Sequence, residues 1–75
     1  PNGTRSTIGV IFPSSLTFNT QAAEVMEILA GHCRVKLKGA SDWSEFKEDQ
    51  KFSVPANSSF EIETTDTLHY VCHFE

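Results

Sequence analysis

A chain of 75 residues with six basic and ten acidic side chains, net charge −4 at pH 7, makes one small domain, and its acidity argues against nucleic acid, whose phosphates call for clustered Lys and Arg. No apolar run approaches the roughly 20 residues that cross a bilayer, so no membrane segment is expected. Two cysteines, Cys33 and Cys72, are too few for a disulfide scaffold and suit a reducing compartment, the cytoplasm.

In chain order, alternation with period two dominates, and that period means strand. Ile8, Val10 and Phe12 share one parity, and after the breaker Pro13-Ser14-Ser15 come Leu16 and Phe18. Gln21 to Ala30 is the ambiguous stretch. Its Ala22, Val25, Met26 and Leu29 have helical spacing, with Thr20 placed to cap and Gly31 to stop. As a strand, the same stretch puts Glu24, Met26, Ile28 and Ala30 on one face.

Beyond Gly31 the pattern is plain. Cys33, Val35 and Leu37 alternate with His32, Arg34, Lys36 and Lys38, so the one basic cluster reads as a solvated strand face. A longer connection around Trp43 and Phe46 holds at most one irregular strand. Phe52 and Val54 lead into the turn Pro55-Ala56-Asn57-Ser58, Phe60 and Ile62 follow, and Leu68, Tyr70, Cys72 and Phe74 end the pattern. Turn signals at roughly 8–12-residue spacing indicate an all-β sandwich or barrel. A monomer this short buries only about 60–65% of its unfolded surface, and an open barrel leaves strand edges. A homodimer is therefore expected.

Several chemistries are disfavoured. The serines have no nucleophile elbow, and the four glycines stand singly, with no phosphate-cradling loop. Cys33 and Cys72 lie on inward parity, where a thiol acts as a small hydrophobe. His69 and His73 share a strand face but stand about 13 Å apart, too far for one metal ion.

Two spacings carry a resemblance. Glu24 is followed after six residues by Gly31, and Asp49 after five by Pro55, then Asn57, Phe60 and Thr64. These resemble the two cupin motifs, Glu-x6-Gly and Gly-x5-Pro-x-Gly-x2-His-x3-Asn. The stretches "TIGVIFP", "LTFNT", "EVMEILAGHCRVKL", "FSVPANSSFEIET" and "YVCHF" resemble the small cupin-like pyrimidine/purine nucleoside phosphorylases over nearly everything from Thr7 onward. The resemblance implies an all-β, antiparallel jelly-roll (cupin-like) barrel over residues 1–75, lacking the family's N-terminal segment. It also turns Gln21–Ala30 into loop and strand.

The departures from the cupin pattern matter as much. The positions of the cupin metal ligands fall on Phe18, Thr20, Glu24 and Phe60. One carboxylate does not make a transition-metal site, so no metal and no cofactor are expected. The motif glycines are replaced by Asp49 and Asn57, residue types that accept left-handed turns better than most. The implied function is metal-independent phosphorolysis of nucleosides with broad base preference, the alternative being a non-catalytic cupin that binds a small ligand. On this resemblance Glu24 is the catalytic candidate, and Phe18, Thr20, Phe60, Arg5 and Tyr70 are the candidates for binding nucleoside and inorganic phosphate.

Overall fold

The computed structural model describes residues 5–74, which form eight strands: β1 (Arg5–Ile11), β2 (Ser14–Asn19), β3 (Glu24–Ala30), β4 (His32–Leu37), β5 (Ser44–Lys47), β6 (Lys51–Val54), β7 (Ser59–Thr64) and β8 (Leu68–Phe74). They make two four-stranded sheets, in the order β1-β8-β3-β6 and β2-β7-β4-β5, and every pairing is antiparallel. Successive strands pass from sheet to sheet at most connections, the jelly-roll winding. Gln21–Ala30 resolves in favour of the strand, with Glu24, Met26 and Ile28 all buried. Its helical spacing loses because pairing to both β6 and β8 buries the alternate face. Ser14 and Ser15 open β2 rather than sitting in the breaker, and Ser14 Oγ donates to the carbonyl of Phe12 at 2.7 Å across the bend at Pro13.

The core lies between the sheets. Met26, Ile28, Phe52, Val54, Leu68 and Cys72 come from one sheet, and Cys33, Val35, Phe60 and Ile62 from the other. Four phenylalanines make a chain through it. Phe18 stacks on Phe60 at 5.4 Å, Phe60 meets Phe52 edge-on at 5.6 Å, and Phe52 meets Phe46 at 4.8 Å. Such pairs add about 0.5–1.5 kcal/mol each beyond their burial.

The turns behave as their side chains allow. Asp49 and Asn57 adopt φ of 71° and 54°, the left-handed region that Asn and Asp enter more readily than other side chains. The parity of Ile8, Val10 and Phe12 is real, but all three face solvent; from β1 it is Ile11 that enters the core.

Candidate functional site

Glu24 begins β3, one residue beyond a bend, and the pleat that buries Met26 and Ile28 carries its carboxylate inward too, to 9% exposure. Its lateral neighbours come from the register. Phe74 of β8 pairs with Glu24 on one side and with Arg5 of β1 on the other. The row across the inner face therefore reads Arg5, Phe74, Glu24, with Cα atoms at either end about 10 Å apart. The Arg5 guanidinium stands over the Phe74 ring, 5.0 Å from its centroid, a cation–π contact.

The next rows along β8 bring Cys72 and Tyr70 to the same face. Burial pushes the Cys72 thiol up to about 11, and the neighbouring Glu24 adds to the rise through its charge and a hydrogen bond with the thiol. Burial also raises the Tyr70 phenol, helped by Cys72 and Glu24. Both groups thus stay protonated at neutral pH and can donate hydrogen bonds. Tyr70 is half-buried against the core and lies over Gly9, its register partner on β1.

The other sequence candidates separate. Phe18 is partly exposed and presents a ring toward the interior, whereas Phe60 is 2% exposed and is a core side chain that backs Phe18. Thr20 leaves the binding set. Its hydroxyl donates to the Pro55 carbonyl at 2.7 Å and accepts from Ser58 N–H at 3.0 Å, while its own N–H donates to Ser58 O at 2.9 Å. Both donors are committed, so neither remains for phosphate; the residue clamps the 55–58 turn to the end of β2.

Spacing alone missed Cys72, Phe74 and Gly9. Parity placed the first two inward, but only the β1–β8–β3 register brings them beside Glu24. The cupin ligand positions, occupied by Phe18, Thr20, Glu24 and Phe60, offer one carboxylate and a committed hydroxyl. They do not fit a metal, and no group of three or more His, Cys, Asp or Glu among the described residues is arranged to hold one.

A hollow of about 400 Å³ lies away from Glu24, lined by Ser14, Ser15, His32, Arg34, Glu63 and Thr64 among others. Within it Arg34 meets Glu63 at 2.6 Å, and His32 Nδ1 lies 3.1 Å from Asp66 Oδ2. Arg34 is held further over the Trp43 ring at 4.7 Å. Glu24, Cys72 and Tyr70 lie instead on the inner face of the other sheet.

The family model for pyrimidine/purine nucleoside phosphorylase matches residues 1–74. A curated relative of that name from Cupriavidus taiwanensis is 67% identical over 75 residues, all of this chain and 71% of the relative. Another, from Methylobacillus flagellatus, is 63% identical over 75 residues and 73% of its own length. Among solved structures, an Acinetobacter protein of unknown function superimposes with a TM-score of 0.94 at 49% identity, over 99% of this chain and 72% of that one. A cupin-2 domain protein from Shewanella frigidimarina reaches 0.80 at 7% identity, over 97% of this chain and 71% of that one, which shows shared fold alone. The cupin-like barrel expected from the sequence is thus the observed fold, and the chain belongs to the pyrimidine/purine nucleoside phosphorylase family.

Proposed function

We propose that this chain catalyses the reaction for which its family is named, the phosphorolysis of nucleosides with broad base preference. The observation that carries the reading is 67% identity across the whole chain to a curated nucleoside phosphorylase, with a buried carboxylate on the inner face of the barrel beside it in support. A phosphate oxygen attacks C1′ as the C1′–N bond breaks. The electron pair of that bond leaves with the base, which takes up a proton, and the products are free base and ribose 1-phosphate.

Positive charge grows on the sugar and negative charge on the base, so each needs a fixed partner. Glu24 serves the sugar, accepting hydrogen bonds from ribose hydroxyls and opposing the charge at C1′. Arg5, about 10 Å away along the same row, serves the phosphate, since a guanidinium grips phosphate oxygens in pairs. Phe18 offers a ring face to the base, and the protonated Tyr70 offers a donor to the nitrogen or oxygen that gains charge. Binding all three parts in one geometry supplies the orientation that phosphorolysis in water lacks.

The assembly read here is a homodimer, and the reducing cytoplasm is its proposed location, where two free, buried cysteines are stable. The test of function is release of free base and ribose 1-phosphate from several purine and pyrimidine nucleosides, with and without inorganic phosphate. Phosphate-dependent release from nucleosides of both classes is expected. No such release from any nucleoside overturns the reading and leaves a binding protein.

A further inference from the structure

Strand β1 is weakly anchored at the end where the site uses it. It is an edge strand of its sheet and pairs with β8 alone. Its one buried side chain, Ile11, lies at the far end, while Arg5, Ser6, Thr7, Ile8 and Val10 are exposed. The end that carries Arg5 therefore has only ladder bonds and surface contacts to keep it from fraying.

Two side-chain contacts hold that end, one on each face of the sheet. On the inner face the Arg5 guanidinium lies over the Phe74 ring. On the outer face, one residue along, Ser6 is the register partner of His73. His73 Nδ1 stands 2.9 Å from Ser6 Oγ, and its Nε2 stands 3.0 Å from Glu27 Oε1 on β3. A carboxylate only accepts hydrogen bonds, so Nε2 carries the proton of the neutral imidazole and Nδ1 accepts from the Ser6 hydroxyl. Among the described residues, this is the one side-chain hydrogen bond from β1 to another strand. The run Ser6–His73–Glu27 thus spans β1, β8 and β3, the same three strands whose inner row is Arg5, Phe74 and Glu24.

We infer that His73 is a positioning residue for phosphate binding: by tying Ser6 to Glu27 it fixes β1 against β3 and holds Arg5 at its distance from Glu24. This rests on the reading of Arg5 as the phosphate partner given above. The imidazole is on the opposite face of the sheet from the site, so it touches neither sugar nor phosphate. Glu24 lies on a strand paired on both sides and stays in place without it. What the loss of His73 removes is the placement of Arg5, and with it the grip on phosphate.

His73→Ala and Ser6→Ala should each raise KM for inorganic phosphate about 2- to 10-fold, the range that one net hydrogen bond covers. KM for the nucleoside, and kcat at saturating phosphate, should stay within about twofold. The double variant should be no worse than either single one, since both break the same bond. His73→Gln should restore the phosphate KM, because a carboxamide also offers an acceptor and a donor side by side. A role in stability alone would lower the melting temperature and leave that KM where it was. Circular dichroism checks each fold, and Ser6→Ala, at an exposed edge position, breaks the bond with least risk to it. The Arg5 Nε–H signal, followed by NMR as inorganic phosphate is added without nucleoside, gives the same comparison without turnover. Phosphate should shift that signal in the unaltered protein, and His73→Ala should weaken the binding by the same factor. If no nucleoside is cleaved yet this weakening is seen, the phosphorolysis reading fails and the placement of Arg5 by His73 stands. Phosphate affinity indifferent to both His73→Ala and Ser6→Ala, a folded His73→Gln without rescue, or an Arg5 signal that ignores phosphate would overturn the inference.

Discussion

Tyr70 lies across Gly9 so closely that a Cβ on residue 9 would overlap the ring at Cζ and the phenol oxygen and stand 2.7 Å from Cε2. The two residues are register partners on β1 and β8, and the absent side chain is what lets the phenol lie down beside Cys72 and Glu24. Gly9→Ala should therefore turn Tyr70 out of place and lower kcat/KM for phosphorolysis about 10- to 100-fold, an effect of about 1.4–2.8 kcal/mol. In a Tyr70→Ala background the same substitution should cost almost nothing further. Additive effects in that double-mutant cycle would show that the two residues act independently.

Glu24→Gln keeps the shape of the side chain and removes its charge. Phosphorolysis should fall about 100- to 1,000-fold in kcat, the size of losing one aimed electrostatic contact, with the fold intact by circular dichroism. Unchanged turnover would remove Glu24 from the mechanism.

Thr20→Val separates clamp from binding site. It is nearly isosteric but leaves the Pro55 carbonyl and the Ser58 N–H without the partner that now serves both. Stability in urea should drop by about 1–3 kcal/mol, while KM for phosphate at a temperature well below the melt stays within about twofold, a difference of only ~0.4 kcal/mol. A large rise in that KM would restore Thr20 to the phosphate site.

Burial raises Cys33 and Cys72 from an ordinary 9.0 to about 11. Above pH 9 the unfolded chain loses thiol protons that the folded chain retains, so stability is full below pH 9 and declines up to about pH 11. Both thiols add to that decline. Melting temperature measured across this range should fall steeply, and Cys33→Ala, though less stable at neutral pH, should show a shallower alkaline slope. A slope that the substitution leaves unchanged would point to another titrating group.

Much of this arrangement was written in the alternation of apolar residues. The inward set on β4, β7 and β8 follows parity directly, because a strand has only two faces and one must leave water. Gln21–Ala30 could not be assigned that way, since four apolar residues at helical spacing outnumber the three at strand spacing; pairing on both sides decided it. Ile8, Val10 and Phe12 show a different limit. Alternation reports that a strand has an apolar face, not which way it looks, and here the larger residues look outward while Gly9 and Ile11 look in. At the site, Glu24 was legible from its motif and its parity. Arg5 and Phe74 were not placeable beside it, because lateral neighbours depend on registers between residues far apart in the chain, Glu24 with Phe74 and Phe74 with Arg5.

That long-range pairing also governs how the molecule comes into being. Arg5 faces Phe74 directly in the β1–β8 ladder, so the first and last described residues lie on adjacent strands and the row that holds Glu24 closes only when β8 slots between β1 and β3. Most contacts here join distant parts of the chain, which favours slow folding limited by loop closure. A circular permutant joining Phe74 to Arg5 through a short linker, with new ends in the exposed turn at Gly39, would make that closure local. The inner face would be unchanged, and refolding should be faster.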